Sequence, residues 1–175
     1  ATNVATKLVS EGVKVVIGHV CSGATKAALG IYKEAKVTVV SPSATAPVLT
    51  KGGEYPNFFR TIASDDEQAI LAAKFAVETL KAAKVAVIHD KGDYGKGFAD
   101  FARAAIEKSC NAEVVTYEGI QPGAMDYSAV LQKIRNDGAD TVIFGGYHPE
   151  ASKLLSQMKK KRMQPNFIGS DGIKG

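Results

Sequence analysis

The sequence predicts an α/β chain built on parallel sheet, and three observations point to it. Six short, mostly β-branched apolar runs recur, at residues 13–17, 37–40, 85–88, 112–116, 141–144 and 166–168. Helical periodicity fills most of the intervals between them. The runs are close to continuously apolar, which suits strands covered on both faces, and parallel neighbours need a crossover helix between them.

Each element has its own local reason. Val4, Leu8 and Val13 read as a helix already under way, with Gly12 as its stop signal. From Ser22 onward, Ala27, Ala28, Ile31, Tyr32 and Ala35 fall on one helix face. Ser64-Asp65-Asp66-Glu67 reads as a capping box, in which Ser and Glu each satisfy a free backbone donor; it opens a helix through Ile70, Leu71, Phe75 and Leu80. Phe98, Phe101, Ala102, Ala105 and Ile106 form a third stripe. Asp126 is the expected cap of a fourth, running through Val130, Leu131 and Ile134 to a stop at Gly138, and Pro149 starts a fifth. The run Lys159-Lys160-Lys161-Arg162 closes that helix, where cations oppose the negative end of the helix dipole. Residues 41–60 break the rhythm with Pro42, Pro47, Pro56 and the pair Gly52-Gly53, too long a stretch for an idle connection. The boundary between two lobes is therefore expected near residues 61–63, giving lobes at 1–62 and 63–175.

Composition narrows the function classes. With 45% hydrophobic and 23% charged residues the chain is an ordinary globular one. Its longest stretch free of charge, residues 37–50, contains two prolines and falls short of the ~20 apolar residues of a membrane helix. Net charge is 22 − 18 = +4 and scattered, with no recognisable nucleic-acid module, so no nucleic-acid partner is expected. Cys21 and Cys110 show neither C-x-x-C nor zinc spacing, and no metal or cofactor is expected. The first residue is not Met and the last ones follow a strand, which reads as an internal piece of a longer protein.

In open parallel sheets, ligands bind beyond the carboxyl ends of the strands. There the chain places His19-Val20-Cys21-Ser22-Gly23, Ser41-Pro42-Ser43-Ala44-Thr45, His89-Asp90-Lys91-Gly92-Asp93-Tyr94, Gly145-Gly146-Tyr147-His148-Pro149 and Gly169-Ser170-Asp171-Gly172. Ser22 is either a plain N-cap or part of an anion site at a helix N-terminus, where a carboxylate would dock. Ser43-Ala44-Thr45 offers a carbonyl, amides and a hydroxyl within three residues, suited to a ligand that is both acid and amine; taken alone it is a loop. Asp171 is either the acceptor of an Asx-turn or the partner of a ligand ammonium. Tyr94 and Tyr147 either pack at strand ends or cover an apolar ligand. Cys21 and His19 at a helix N-terminus have the residue types of a Cys–His nucleophile, but the pattern argues against one. Residues two apart at a strand exit usually point different ways, and no G-x-S-x-G, Walker A, G-x-G-x-x-G or H-E-x-x-H occurs, so no enzyme is expected.

Taken in order, Val16-Ile17-Gly18-His19-Val20-Cys21-Ser22, Ser41-Pro42-Ser43-Ala44-Thr45-Ala46-Pro47, Phe59-Arg60-Thr61, Ile88-His89-Asp90-Lys91 with Tyr94-Gly95, and Gly145-Gly146-Tyr147-His148-Pro149-Glu150 resemble the branched-chain amino-acid (Leu/Ile/Val) periplasmic binding proteins of ABC importers. The resemblance runs over essentially the whole chain. It implies doubly wound parallel-sheet lobes of the type I periplasmic-binding fold, closing by a hinge on a free aliphatic amino acid. It also implies a periplasmic protein whose signal peptide is removed, delivery to a membrane ABC permease, and no catalysis; the same fold serves sensory receptor domains for amino acids or amides. By motif, Ser22 and Thr45 would hold the α-carboxylate, while the Ser43 carbonyl, the Thr45 hydroxyl and Asp171 would take the α-ammonium. Val20, Cys21, Ala44, Tyr94 and Tyr147 would border the aliphatic side chain. Asp171 stands where the family commonly has Glu, one methylene longer. Cys21 matches a family cysteine whose disulfide partner lies upstream, so here it is expected to be unpaired.

Overall fold

In the computed structural model, which describes residues 1–174, each of the six apolar runs forms a strand. The chain divides into two compact units, Ala1–Asp65 and the remainder from Asp66.

The first unit carries α1 (Thr2–Ser10), β1 (Val15–Ile17), α2 (Ser22–Glu34), β2 (Thr38–Ser41), α3 (Val48–Lys51) and β3 (Phe58–Arg60). Its strands lie in the order β1-β2-β3, all parallel, with Val16 opposite Val39 and Ser41 opposite Arg60. Leu29 and Tyr32 of α2, Val39, Leu49 and Phe58 form the core. Gly12 ends the first helix as expected, at φ +77°, a conformation costly for any residue with a Cβ. The face that α1 buries, however, is centred on Ala5, and Val4 is exposed. The segment 41–60 holds two elements that its composition hid: α3 and β3 are too short to show a period, and β3 is betrayed only by the aromatic pair before Arg60.

The second unit opens within α4 (Asp65–Lys74), whose first residue closes the first unit and which continues through a π-helical turn (Phe75–Thr79). Then come β4 (Lys84–His89), α5 (Asp93–Ser109), β5 (Glu113–Gly119), α6 (Ser128–Asn136), β6 (Thr141–Gly145), α7 (His148–Lys160), β7 (Asn166–Gly169) and a 3₁₀ turn (Asp171–Ile173). The strand order is β5-β4-β6-β7, all neighbours parallel. Alternation along the central strands sorts their side chains to two faces. Val85, Val87 and Ile143 pack with Phe98, Ala102 and Ile106 of α5. Ala86, Ile88, Val142 and Phe144 pack with Leu131 and Ile134 of α6 and Leu154 and Met158 of α7. Helices on both faces make this unit a doubly wound α/β sheet.

The second unit departs from three expectations. The stripe expected on the 64–80 helix is exposed at Ile70, Leu71 and Phe75; the buried face is Ala69, Ala73 and Ala76. Small side chains let this helix approach while Phe98 and Ile106 fill the space, so volume complementarity decided the face, not side-chain size. Asp126 is also not the N-cap of α6. That position is Tyr127, and Asp126 sits one residue earlier, where its Oδ1 accepts the Ser128 amide at 3.0 Å and the Ser128 hydroxyl at 2.7 Å. β5 runs beyond its predicted end to Gly119, with a bulge against β4 between Val85 and Ala86; as an edge strand it tolerates the polar residues that concealed it.

Candidate functional site

The predicted site residues form two groups, one in each unit. In the first unit they lie in the turn after β1 and the loop after β2. Ser22 is not the N-cap of α2: Cys21 is, and Ser22 is the first helical residue. Its buried side chain turns instead onto the neighbouring loop, where Oγ accepts the amides of Thr45 (3.2 Å) and Ala46 (3.1 Å). Ser41 does the same one turn earlier. It donates its hydroxyl to the His19 carbonyl at 2.6 Å and accepts the amides of Ser43 (3.2 Å) and Ala44 (2.9 Å). Arg60 holds the other side of this loop through Nη1, which donates to the carbonyls of Thr45 and Ala46, each at 3.0 Å, while Nη2 donates to Thr50 Oγ1 at 2.6 Å.

The four consecutive amides of residues 43–46 are thus fixed by two serine hydroxyls, and Thr45 and Ala44 are buried at the centre. Val20 and Cys21 precede Ser22 and are exposed. Behind them, Thr25 Oγ1 donates to the Cys21 carbonyl at 3.0 Å, and His19 Nε2 lies 3.3 Å from the Tyr32 hydroxyl. Burial lowers the His19 pKa and raises that of Tyr32. The arrangement presents hydroxyls on an ordered backbone, without any side-chain carboxylate among these residues.

In the second unit, Tyr94, Tyr147 and Asp171 come together although 77 residues separate the first from the last. Topology explains it. Strands β4, β6 and β7 are consecutive in the sheet, so the residues that follow them are spatial neighbours. Tyr94 sits in the first turn of α5, Tyr147 caps α7 and Asp171 opens the 3₁₀ turn after β7. The Tyr94 hydroxyl donates to Asp171 Oδ1 and accepts the Gly172 amide at 2.9 Å. Its ring centroid lies 5.2 Å from that of Tyr147, tilted by 42°. Burial, and then the bond to Asp171, push the Tyr94 pKa well above 10, so the phenol keeps its proton to donate. Asp171 and Tyr147 are half-buried, Tyr94 fully so.

Residues outside the predicted set support this cluster. Gly95 and Gly145 meet backbone to backbone: a Cβ on Gly145 would lie 2.1 Å from the Gly95 carbonyl oxygen. Asp90, buried at the end of β4, accepts the Gly92 amide at 2.9 Å and steadies the turn into α5; burial raises its pKa. Ser41, Arg60, Asp90 and Gly145 all stand inside the motifs read from the sequence, but their roles depend on contacts that spacing does not show. A groove of about 420 Å³ between α5 and the 65–79 helix, lined by Ile70, Val77, Phe101 and Lys108 among others, contains none of the predicted site residues. Among the described residues, no cluster of His, Cys, Asp and Glu could hold a metal ion, and no helix is long and apolar enough to cross a membrane.

The family model described as "Periplasmic binding protein" matches residues 1–169. The leucine-, isoleucine-, valine-, threonine- and alanine-binding protein of Pseudomonas aeruginosa is 42% identical over 173 residues, which are 99% of this chain and 46% of that protein. The Leu/Ile/Val-binding protein of Escherichia coli K12 is 38% identical over 99% of this chain and 47% of its own length. Among solved structures, the branched-chain amino acid transporter substrate-binding protein LivJ of Streptococcus pneumoniae, in complex with isoleucine, superposes with a TM-score of 0.87 at 34% identity, covering 99% of this chain and 49% of that one. The chain therefore spans about half the length of the relatives it matches.

Proposed function

This chain belongs to the periplasmic binding protein family, and from that premise we propose that it is part of an extracytoplasmic solute-binding protein that captures a branched-chain aliphatic amino acid and passes it to a membrane ABC permease. The observation that carries this reading is the 42% identity, over 99% of the chain, to a protein named for binding leucine, isoleucine, valine, threonine and alanine.

Each unit, taken by itself, carries groups whose chemistry suits part of an amino acid. The first unit offers the hydroxyl of Ser22, the first residue of α2, and that of Thr45, on a loop whose backbone is held by Ser41 and Arg60, for an α-carboxylate; the same reading assigns the Ser43 carbonyl and the Thr45 hydroxyl to an α-ammonium. The second offers the Asp171 carboxylate for the α-ammonium, beside the rings of Tyr94 and Tyr147 for an aliphatic side chain. Val20, Cys21 and Ala44 complete the apolar contacts. Binding sites of this kind are mostly apolar, with a few polar groups setting orientation. Recognition and release, with no covalent step, is the whole of the chemistry, so the protein is read as a carrier and not an enzyme.

A thermal-shift screen of the full-length protein against the twenty amino acids tests the reading. Ligand at a hundredfold excess over Kd stabilises the native state by about 2.7 kcal/mol. Leucine, isoleucine and valine should raise the melting temperature while aspartate and lysine do not. No shift with any of the three branched-chain amino acids would refute it.

A further inference from the structure

Asp171 is the residue assigned to the ligand ammonium, yet its carboxylate is not loose. Oδ1 accepts the Tyr94 hydroxyl, and among the described residues Oδ2 accepts no hydrogen bond. The phenolic oxygen is fixed in turn by the Gly172 amide at 2.9 Å, so the chain of contacts runs from backbone through phenol to carboxylate. The phenol itself has almost no freedom. Tyr94 is 4% exposed and its ring lies against Tyr147. A Cβ on Gly172 would fall 2.9 Å from the Tyr94 ring and 2.6 Å from the Gly146 carbonyl oxygen, so only glycine permits this approach. The helical turn that carries Tyr94 is seated on the end of β6 through Gly95 and Gly145.

We propose that Tyr94 is a positioning and specificity residue as well as an apolar wall: by taking up Oδ1 of Asp171 it offers Oδ2 alone, in a fixed place, to the ammonium of an α-amino acid. This rests on the assignment of Asp171 made under the proposed function and deepens it. A short carboxylate with two rotatable bonds would otherwise lose side-chain freedom on binding; the phenol removes that cost beforehand. The chemical consequence is discrimination at the α-position. A ligand bearing an ammonium gains from the oriented, charged oxygen. The 2-oxo acid with the same side chain has no donor to give it and gains nothing.

The test is calorimetric titration of the full-length protein with leucine and with its 2-oxo acid, 4-methyl-2-oxopentanoate. Tyr94→Phe removes one oxygen and keeps the ring. It should weaken leucine about tenfold or more, the range expected when a hydrogen bond to a charged group is lost, and change the 2-oxo acid affinity less than twofold. Asp171→Asn should weaken leucine at least as much, and adding Tyr94→Phe to it should then cost less than a further twofold, because the hydroxyl acts through the carboxylate. An equal loss for both ligands would make the hydroxyl a purely structural group, and an unchanged leucine affinity would overturn the proposal directly. Failure of Tyr94→Phe to fold with a wild-type melting temperature would overturn it as well, since the bond would then be serving the fold. If the wild-type protein binds no aliphatic amino acid, the functional assignment fails and the inference with it; leucine binding by the wild type with an indifferent Tyr94→Phe removes the inference alone.

Discussion

Single side chains in this protein earn their place by what they hold, and the most instructive are the ones that hold backbone. Ser22, Ser41 and Arg60 between them fix both amides and carbonyls of the 43–46 loop, so its conformation does not depend on a ligand to order it. His89 plays a comparable part at the end of β4: its Nδ1 accepts the Lys91 amide at 3.0 Å, which requires the neutral ring. Burial first, and the nearby Lys96 next, keep its pKa below 6.5. The unfolded chain therefore binds a proton that the folded one refuses. The contribution of His89 to stability is complete above about pH 6.5 and is lost as pH falls toward the folded value. Asp90 beside it works in the opposite sense: burial raises its pKa above 3.8, and what it contributes is lost as pH rises through that folded value. We expect His89→Asn, which keeps an acceptor near Nδ1, to flatten the fall in urea-unfolding midpoint between pH 7 and pH 5. An identical fall in wild type and variant would rule His89 out as its source.

At the scale of elements, the decisive contacts are those in which backbone meets backbone. α5 begins directly on the end of β6 because Gly95 and Gly145 lack side chains, and this seating places Tyr94 over the turn that follows β7. Both partners at the crossing are main chain, so neither can yield to an added methyl. Gly145→Ala should destabilise the protein by about 1–3 kcal/mol, the cost of overpacking, and, on the function proposed above, lower the leucine affinity of the full-length protein through Tyr94. A melting temperature within a degree of wild type would show that the crossing is looser than its geometry states. The helix over 65–79 makes the complementary point. Its alanine face packs on the sheet while its larger apolar residues look outward, an arrangement that maximises contact inside and leaves hydrophobic area outside.

For the molecule as a whole, the two units have separate cores, one around Tyr32 and Leu49, the others on the two faces of the four-stranded sheet. The chain corresponds to about half of the relatives it matches, and it bears apolar surface at Ile70 (47% exposed), Leu71 (69%) and Phe75 (47%). These side chains contribute little to the fold that they leave exposed. The double substitution Ile70→Glu with Leu71→Glu should change stability by no more than about 0.5 kcal/mol per site, yet reduce binding of an apolar fluorescent dye to the 175-residue chain. A large loss of stability would mean that this face packs more tightly than its exposure indicates.

The residues by themselves determined the α/β class, the place of six strands, the stops at Gly12 and Gly138, and the strand-end loops to which the proposed ligand site is assigned. Those features rest on local periodicity and on backbone preferences, which are written in neighbouring residues. Tertiary structure alone decided which face of the 65–79 helix is buried, that Phe58–Arg60 joins the sheet, that Ser22 clasps the 45–46 amides instead of capping its helix, and that Tyr94 reaches Asp171. Each of these depends on volume or hydrogen-bond partners supplied from tens of residues away. Strand order in the sheet brings those partners together, and strand order has no signature in local sequence.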